Sequence, residues 1–215
     1  YNRINENKII SIPTGIDDSI FNPASYNTAE CRRELKIKDS EIAIGILAVL
    51  RKFKRHDLFL KMAKSLIKKF PNKVLVFIIA GNGPQKENIE KIINELNLTA
   101  HVKMIGHINN SPKFLCAIDI LVLSSDSKEG VSQSVMQGLF MNKQVVSSDT
   151  GSTRDLFHNN NFQLVQKGDE AALINGVSIF LNNFDEVSTR KHMIRNFSSK
   201  VMVKKIMTSY KEILD

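Results

Sequence analysis

EIAIGILAVLRKFKRHDLFLKMAKSLIKKFPNKVLVFIIA, residues 41–80, reads as a strand, a helix and a second strand. Its first ten and last eight residues are apolar almost throughout rather than alternating, the pattern of parallel strands covered on both faces. Between them Phe59, Met62, Ala63, Leu66 and Phe70 recur at helical spacing, so the connection is a crossover helix with one buried face. Working outward, HVKMIG (101–106), IDILVLSS (118–125) and KQVVSS (143–148) repeat the strand pattern, and Ile89, Ile92, Ile93 and Leu96 mark a second crossover helix. The repetition predicts an α/β fold, a Rossmann-like doubly wound parallel sheet with helices on both faces, whose ligands bind beyond the carboxyl ends of the strands.

Beyond Asp149 the pattern is mostly helical, ending in a C-terminal helical tail in which Met202, Ile206, Tyr210 and Ile213 share a face expected to pack on a neighbour. Ahead of residue 41 a short strand, KIISI (8–12), leads into IPTGIDDSIFNP (12–23), whose Pro13, Gly15 and Pro23 mark an entry linker. The chain therefore divides into an entry segment (1–40), a core (41–183) and C-terminal helices (184–215) within one domain.

The 215 residues are 42% apolar and 24% charged, the composition of a folded globular domain. No run approaches the roughly 20 apolar residues that span a bilayer, and YNRINENK is unlike a signal peptide, so a cytoplasmic location is expected. The chain starts at Tyr1 rather than Met, so a piece of a longer protein is expected. Cys31 and Cys116 lie far apart in the sequence and outside any CxxC spacing, and read as buried, inert thiols. The net charge of +8 suits an anionic partner: a phosphorylated small molecule, an acidic membrane or nucleic acid. Lys64, Lys68 and Lys69 read as a solvated helix face, and no aromatic interleaving of the single-strand-binding kind accompanies the cations, so nucleic acid is not expected.

The loops after the strands carry the chemistry. LRKFKRHD (50–57) places Arg51, Lys52, Lys54 and Arg55 at the carboxyl end of the first strand, with Asp57 as the expected helix cap, and suits a diphosphate. GNGP (81–84) offers Gly81 and Gly83 for a tight turn or close backbone approach, and Pro84 suits a first helical turn. It is not GxGxxG, because Lys86 stands in the last glycine's place, and no acid follows the next strand, which disfavours a dehydrogenase. Neither a P-loop nor a GxSxG elbow is present. In SSDSKEGVSQSVMQGLF (124–140) a strand ends, a carboxylate follows and a helix begins. The amides of Gly130, Val131, Ser132, Gln133 and Ser134 surround that helix start, an anion site, while Glu129 beside it is better used to accept sugar hydroxyls. Gln137 lies further along the same helix, and Gly138 permits close packing.

The succession IPTGIDDSIFNP, LRKFKRHD, GNGP, VKMIGHI and EGVSQSVMQGLFMNKQVVSSDTGSTRDL spans almost the whole chain and resembles the carboxyl-terminal domain of retaining glycosyltransferases of family 4, one half of the GT-B fold. The resemblance implies a nucleoside-diphosphate sugar as substrate, with no cofactor and no metal. It implies an acceptor domain absent from this sequence, or supplied by a partner chain, and possible peripheral contact of the full enzyme with the inner membrane face. By resemblance Arg51 and Lys54 contact the diphosphate, Glu129 and the amides after it hold sugar and phosphate, and Gly106, His107 and Ile108 form the base-binding strand end. The family's second glutamate, eight residues after the first, accepts the ribose hydroxyls; here it is Gln137, which retunes that contact. Arg55 replaces the glycine that commonly follows the lysine, which makes Lys52 and Arg55 substitutes for the usual pair. The implied activity is sugar transfer to an acceptor hydroxyl with retention, in polysaccharide or glycolipid synthesis, by an enzyme of which this piece alone is inactive. The alternative is a non-catalytic nucleotide-sugar-binding module.

Overall fold

The computed structural model of the chain describes residues 9–126, 130–157, 162–183 and 189–214. Six parallel strands, β1 (Glu41–Leu47), β2 (Val74–Ala80), β3 (Val102–Gly106), β4 (Ile120–Leu123), β5 (Gln144–Ser148) and β6 (Phe162–Val165), form one sheet in the order β3-β2-β1-β4-β5-β6. The helices are α1 (Thr28–Glu34), α2 (His56–Lys69), α3 (Lys86–Glu95), α4 (Ser111–Ala117), α5 (Gln133–Phe140), α6 (Glu170–Asn182), α7 (Arg190–Phe197) and α8 (Ser199–Leu214).

The continuous apolar runs have their explanation in two separate cores. Ala43, Val76, Ile78, Leu121, Leu123 and Val145 face α1, α4, α5 and α7, whereas Ile44, Ile46, Phe77, Ile79, Val122 and Val146 face α2, α3 and α6. Alternation along each strand therefore sends every second apolar residue to a different core, and nothing polar is needed between them. Phe59 of α2 meets Phe77 of β2 edge to face at a centroid distance of 6.0 Å, within the range in which such ring pairs attract. Gly138 in α5 lies so close to β4 that a Cβ there would meet Leu121 Cδ2 at 2.6 Å.

Several local expectations are corrected. Residues 9–12 form no strand, and Ile9 and Ile10 are exposed; among the described residues ahead of β1 the pairing is a single bridge, further on, between Ile16 and Ser198. The entry segment is not a linker, because Ile16, Phe21, Cys31 and Ile37 are buried in the first core and the Arg190 guanidinium donates to the carbonyls of Asp18, Phe21 and Phe140. β6 breaks the helical reading after Asp149; at four residues it is too short to show a period. The cap of α2 is Arg55, in the left-handed region at φ 50°, with Asp57 in the first turn. Pro84 precedes α3 instead of entering it, and α5 begins at Gln133, one residue after its cap Ser132. On α8, Met202 and Ile206 are half-buried, whereas Val203, Met207 and Tyr210 are exposed, so the expected packing is partial among the described residues. Cys31 and Cys116 are buried neighbours on the packed pair α1 and α4, with free thiols, and burial pushes the Cys31 thiol up to about 11.

Arg32 locks α1 to the amino-terminal edge of the sheet. It is buried, donates to the carbonyls of Ala117, Lys38 and Glu41, and pairs with Asp119 at 3.2 Å, while Asp119 also accepts from the amide of Ala43 at 2.7 Å. Removing one member of such a pair strands the other, at a cost of several kcal/mol when both are fully buried. Because the Asp119 side chain keeps 30% of its surface, Arg32→Met is expected to lower stability by roughly 2–3 kcal/mol. Urea unfolding of the two proteins measures this, and an unchanged midpoint would contradict the assigned role.

Candidate functional site

At the carboxyl edge of the sheet the connections from β1 and β4 diverge, since β1 leads into a helix on one face and β4 into a helix on the other. Neighbouring strands whose connections part in this way leave a crevice between them. Its rim is held rigidly. The Ser124 hydroxyl, after β4, shares its one proton between the carbonyls of Lys54 and Arg55, each at 2.9 Å, and the amide of Asp126 donates to the carbonyl of Phe53 at 3.0 Å. From the other side the amides of Leu50 and Gln85 bond to the carbonyls of Asn82 and Leu50, both at 3.0 Å. The turn bearing the cations is thus clamped to the loops after β4 and β2 before any ligand arrives.

The crevice is a cleft of about 650 Å³. One wall is the end of β1, Leu47 to Val49, with Ala80 and Gly81 of the next strand beside it. Gly81 has φ 145°, and a Cβ there would lie 1.9 Å from the Ala48 carbonyl, so the two strand ends approach as only glycine permits. His107 and Ile108, after β3, form the end of the cleft, together with Ser111 at the start of α4. The opposite wall is the start of α5: Val131, Ser132, Gln133, Ser134 and, one turn on, Gln137. The amide of Met136 is bonded to the carbonyl of Ser132 at 3.0 Å, so the amides of Gln133, Ser134 and Val135 precede the first intrahelical bond and Ser132 contributes no side-chain cap. Lys54 reaches the same cleft, its ammonium 5.4 Å from the Phe53 ring centroid. No described lining residue carries a carboxylate. The chemistry on offer is an apolar slot at one end and amides with a cation at the other.

Of the residues singled out in the sequence, Lys54, Gly81, His107, Ile108, Val131, Ser132, Gln133, Ser134 and Gln137 come together here. Glu129 lies outside the described residues. Gly130, exposed, accepts from the amide of Ser152 at 3.3 Å and stands beside the cleft, not in it. Gly83 serves the turn instead, where a Cβ would lie 2.7 Å from the Leu50 carbonyl, and Gly106, at φ 71°, lines a smaller pocket behind Gly81. The apolar wall, Asn82 and Ser111 were missed. Asn110 caps α4 by accepting from Lys113 at 3.1 Å, so the NNSP stretch signalled a helix start at the strand's end.

Arg51 and Lys54 do not share a pocket. Arg51, Lys52, Arg55 and His56 line a second pocket of about 400 Å³ across the turn. The Arg55 guanidinium is bonded to Asp57 at 2.9 Å twice and approaches Asp126 at 3.6 Å. His56 is 3% exposed with neither ring nitrogen hydrogen-bonded among the described residues, and burial, reinforced by Lys54, pulls its pKa down to about 4.

A family model described as Glycosyl transferases group 1 matches residues 27–199. The uncharacterized glycosyltransferase MJ1059 of Methanocaldococcus jannaschii is 31% identical over 144 residues, 67% of this chain and 34% of that protein. The O-antigen biosynthesis glycosyltransferase WclY of Escherichia coli is 25% identical over 202 residues, 94% of this chain and 54% of that protein. Among solved structures, Anabaena Alr3699/HepE in complex with UDP matches with a TM-score of 0.83 at 16% identity, over 94% of this chain and 57% of that one. The chain spans about a third of the first of these proteins and just over half of the other two.

Two outcomes are expected. Native His56 stays neutral down to about pH 4, whereas in the unfolded chain it protonates near its ordinary value of about 6.5. The unfolded state then binds the extra proton between these values, so His56 contributes to stability above about pH 6.5 and loses that contribution as the pH falls to 4. Chemical denaturation at successive pH values should show this decline in the wild type and a flatter profile in His56→Asn. Separately, Gly81→Ala should destabilise by about 3 kcal/mol or more, through both clash and backbone strain, whereas Gly106→Ala, which meets no neighbouring atom, should cost about 1–2 kcal/mol. Equal losses in thermal unfolding would show that the Gly81–Ala48 approach is not the constraint.

Proposed function

The chain belongs to the group 1 glycosyl transferases, and from that premise we propose that it is the donor-binding part of a retaining glycosyltransferase of family 4, completed by an acceptor domain outside this sequence. The observation that carries the reading is the cleft between β1 and β4, which sets an apolar slot opposite the start of α5 and Lys54. A nucleoside diphosphate has the same polarity along its length: a flat base at one end, a dianionic bridge at the other. Residues 47–49, 80–81 and 107–108 receive the base and ribose edge. The amides of α5 and the Lys54 ammonium receive the diphosphate, each charge-assisted bond contributing about 1.5–3 kcal/mol. The relative solved with UDP supports a uridine donor, and the O-antigen relative supports a polysaccharide or glycolipid product.

In the reaction the bond from the sugar's anomeric carbon to the diphosphate oxygen breaks as the acceptor oxygen bonds on the same face, and the acceptor proton passes to the departing diphosphate. Negative charge grows on that diphosphate, so Lys54 and the α5 amides act most strongly in the transition state. Glu129, at the entrance to this helix in the sequence, takes hydroxyls of the transferred sugar. Gln137 accepts one ribose hydroxyl through its amide oxygen, where a carboxylate accepts both.

Thermal unfolding with UDP, GDP and ADP tests the reading. UDP at about 100 times its dissociation constant should stabilise the chain by roughly 2.7 kcal/mol. Lys54→Ala should weaken binding by about ten-fold or more, and Gln137→Glu should strengthen it for UDP but not for its 2′,3′-dideoxy analogue. Absence of any nucleotide shift in both the wild type and folded Gln137→Glu would refute donor binding by this cleft.

A further inference from the structure

The second pocket, at the positive end of the 14-residue helix α2, is not used by the donor reading. Its electrostatics divide in two. Asp57 and Asp126 are both turned to Arg55, which leaves Arg51 and Lys52 as exposed cations at the mouth. His56, 3% exposed, lines the same pocket yet has no partner among the described residues for either ring nitrogen. A buried polar group left unpaired costs about 1–3 kcal/mol, and a neutral imidazole still offers one N–H and one lone pair. Helix end, orphaned imidazole and two cations converge on one space of about 400 Å³, enough for a phosphate and the group that carries it.

We propose that this pocket binds a phosphate-sized oxyanion through Arg51, Lys52, His56 and the start of α2, separately from the diphosphate of the donor. The pocket's three cations and two carboxylates leave a surplus of one positive charge. A doubly charged phosphate therefore overbalances it, and the site holds such a group weakly, as suits part of a substrate more than a tight effector. Two sources of that chemistry fit, a phosphorylated sugar and free phosphate.

The test follows the His56 ring resonances by NMR, assigned with His56→Asn, in the whole chain during titration with inorganic phosphate. The expected result is a saturable shift with a dissociation constant of about 1–10 mM. It should be weakened about five-fold or more by Arg51→Gln and left unchanged by saturating UDP. A second arm uses glucose 6-phosphate with glucose as control. Tighter binding than phosphate assigns the pocket to a phosphorylated sugar, and equal binding to the free ion. The proposal is overturned by no shift at about 100 mM phosphate, by a dissociation constant unchanged in Arg51→Gln, or by displacement of phosphate by UDP. UDP binding itself is read in the thermal assay, so failure of this proposal leaves the donor reading standing, and the reverse.

Discussion

The position of β1 between β2 and β4 constrains everything else. A right-handed crossover from a parallel strand must leave on the side toward its next partner, so the chain leaving β1 goes to one face and the chain leaving β4 to the other. Between those departures the edge of the sheet is left open as a crevice. The cleft is therefore a consequence of strand order, and the core needs no cavity to provide it. The ladder at this seam is short among the described residues, pairing Ile44 with Ile120 and Gly45 with Leu121, with Asp119 bonded to Ala43 at its amino end. The bonds from Ser124 and Asp126 back to residues 53–55 add the ties that the short ladder lacks.

Those ties also determine where charge goes. Arg55 sits in the left-handed region at φ 50°, where a residue with a Cβ is about 1–2 kcal/mol less comfortable than glycine. Its fork onto Asp57 offsets part of that strain, the remaining exposure of both side chains limiting the gain. The turn ending there sends Lys54 into one pocket and Arg51, Lys52 and Arg55 into another. Four adjacent cations thus serve two electrostatic environments. One is free of carboxylates among its described lining residues; the other contains two, both engaged with Arg55.

Much of this was legible before any fold was known. Ile44 and Ile46 alternate with Ala43 and Gly45, and because both sets are apolar, a buried parallel strand is the reading that burial on two faces requires. The α5 residues of the site were legible too, because a strand end followed within a few residues by a helix places unpaired amides in that edge's crevice. The apolar wall of Leu47 and Val49 was not, since residues ending a buried strand look the same whether they meet a helix or a ligand. Nor was the separation of Arg51 from Lys54, which depends on the tight 3-10 turn Lys52–Lys54 that sequence spacing does not reveal.

The sequence by itself determined the alternation of strands and helices, the faces that must be buried, and the loops on which polar chemistry falls, because periodicity and composition act within a few residues of one another. Only the tertiary structure decided the strand order, the meeting of Lys54 with Gln137 and His107 across one cleft, the isolation of His56 and the adjacency of Cys31 and Cys116. Each of these depends on contacts between segments distant in the chain, whose geometry is set by packing two cores against one twisted sheet.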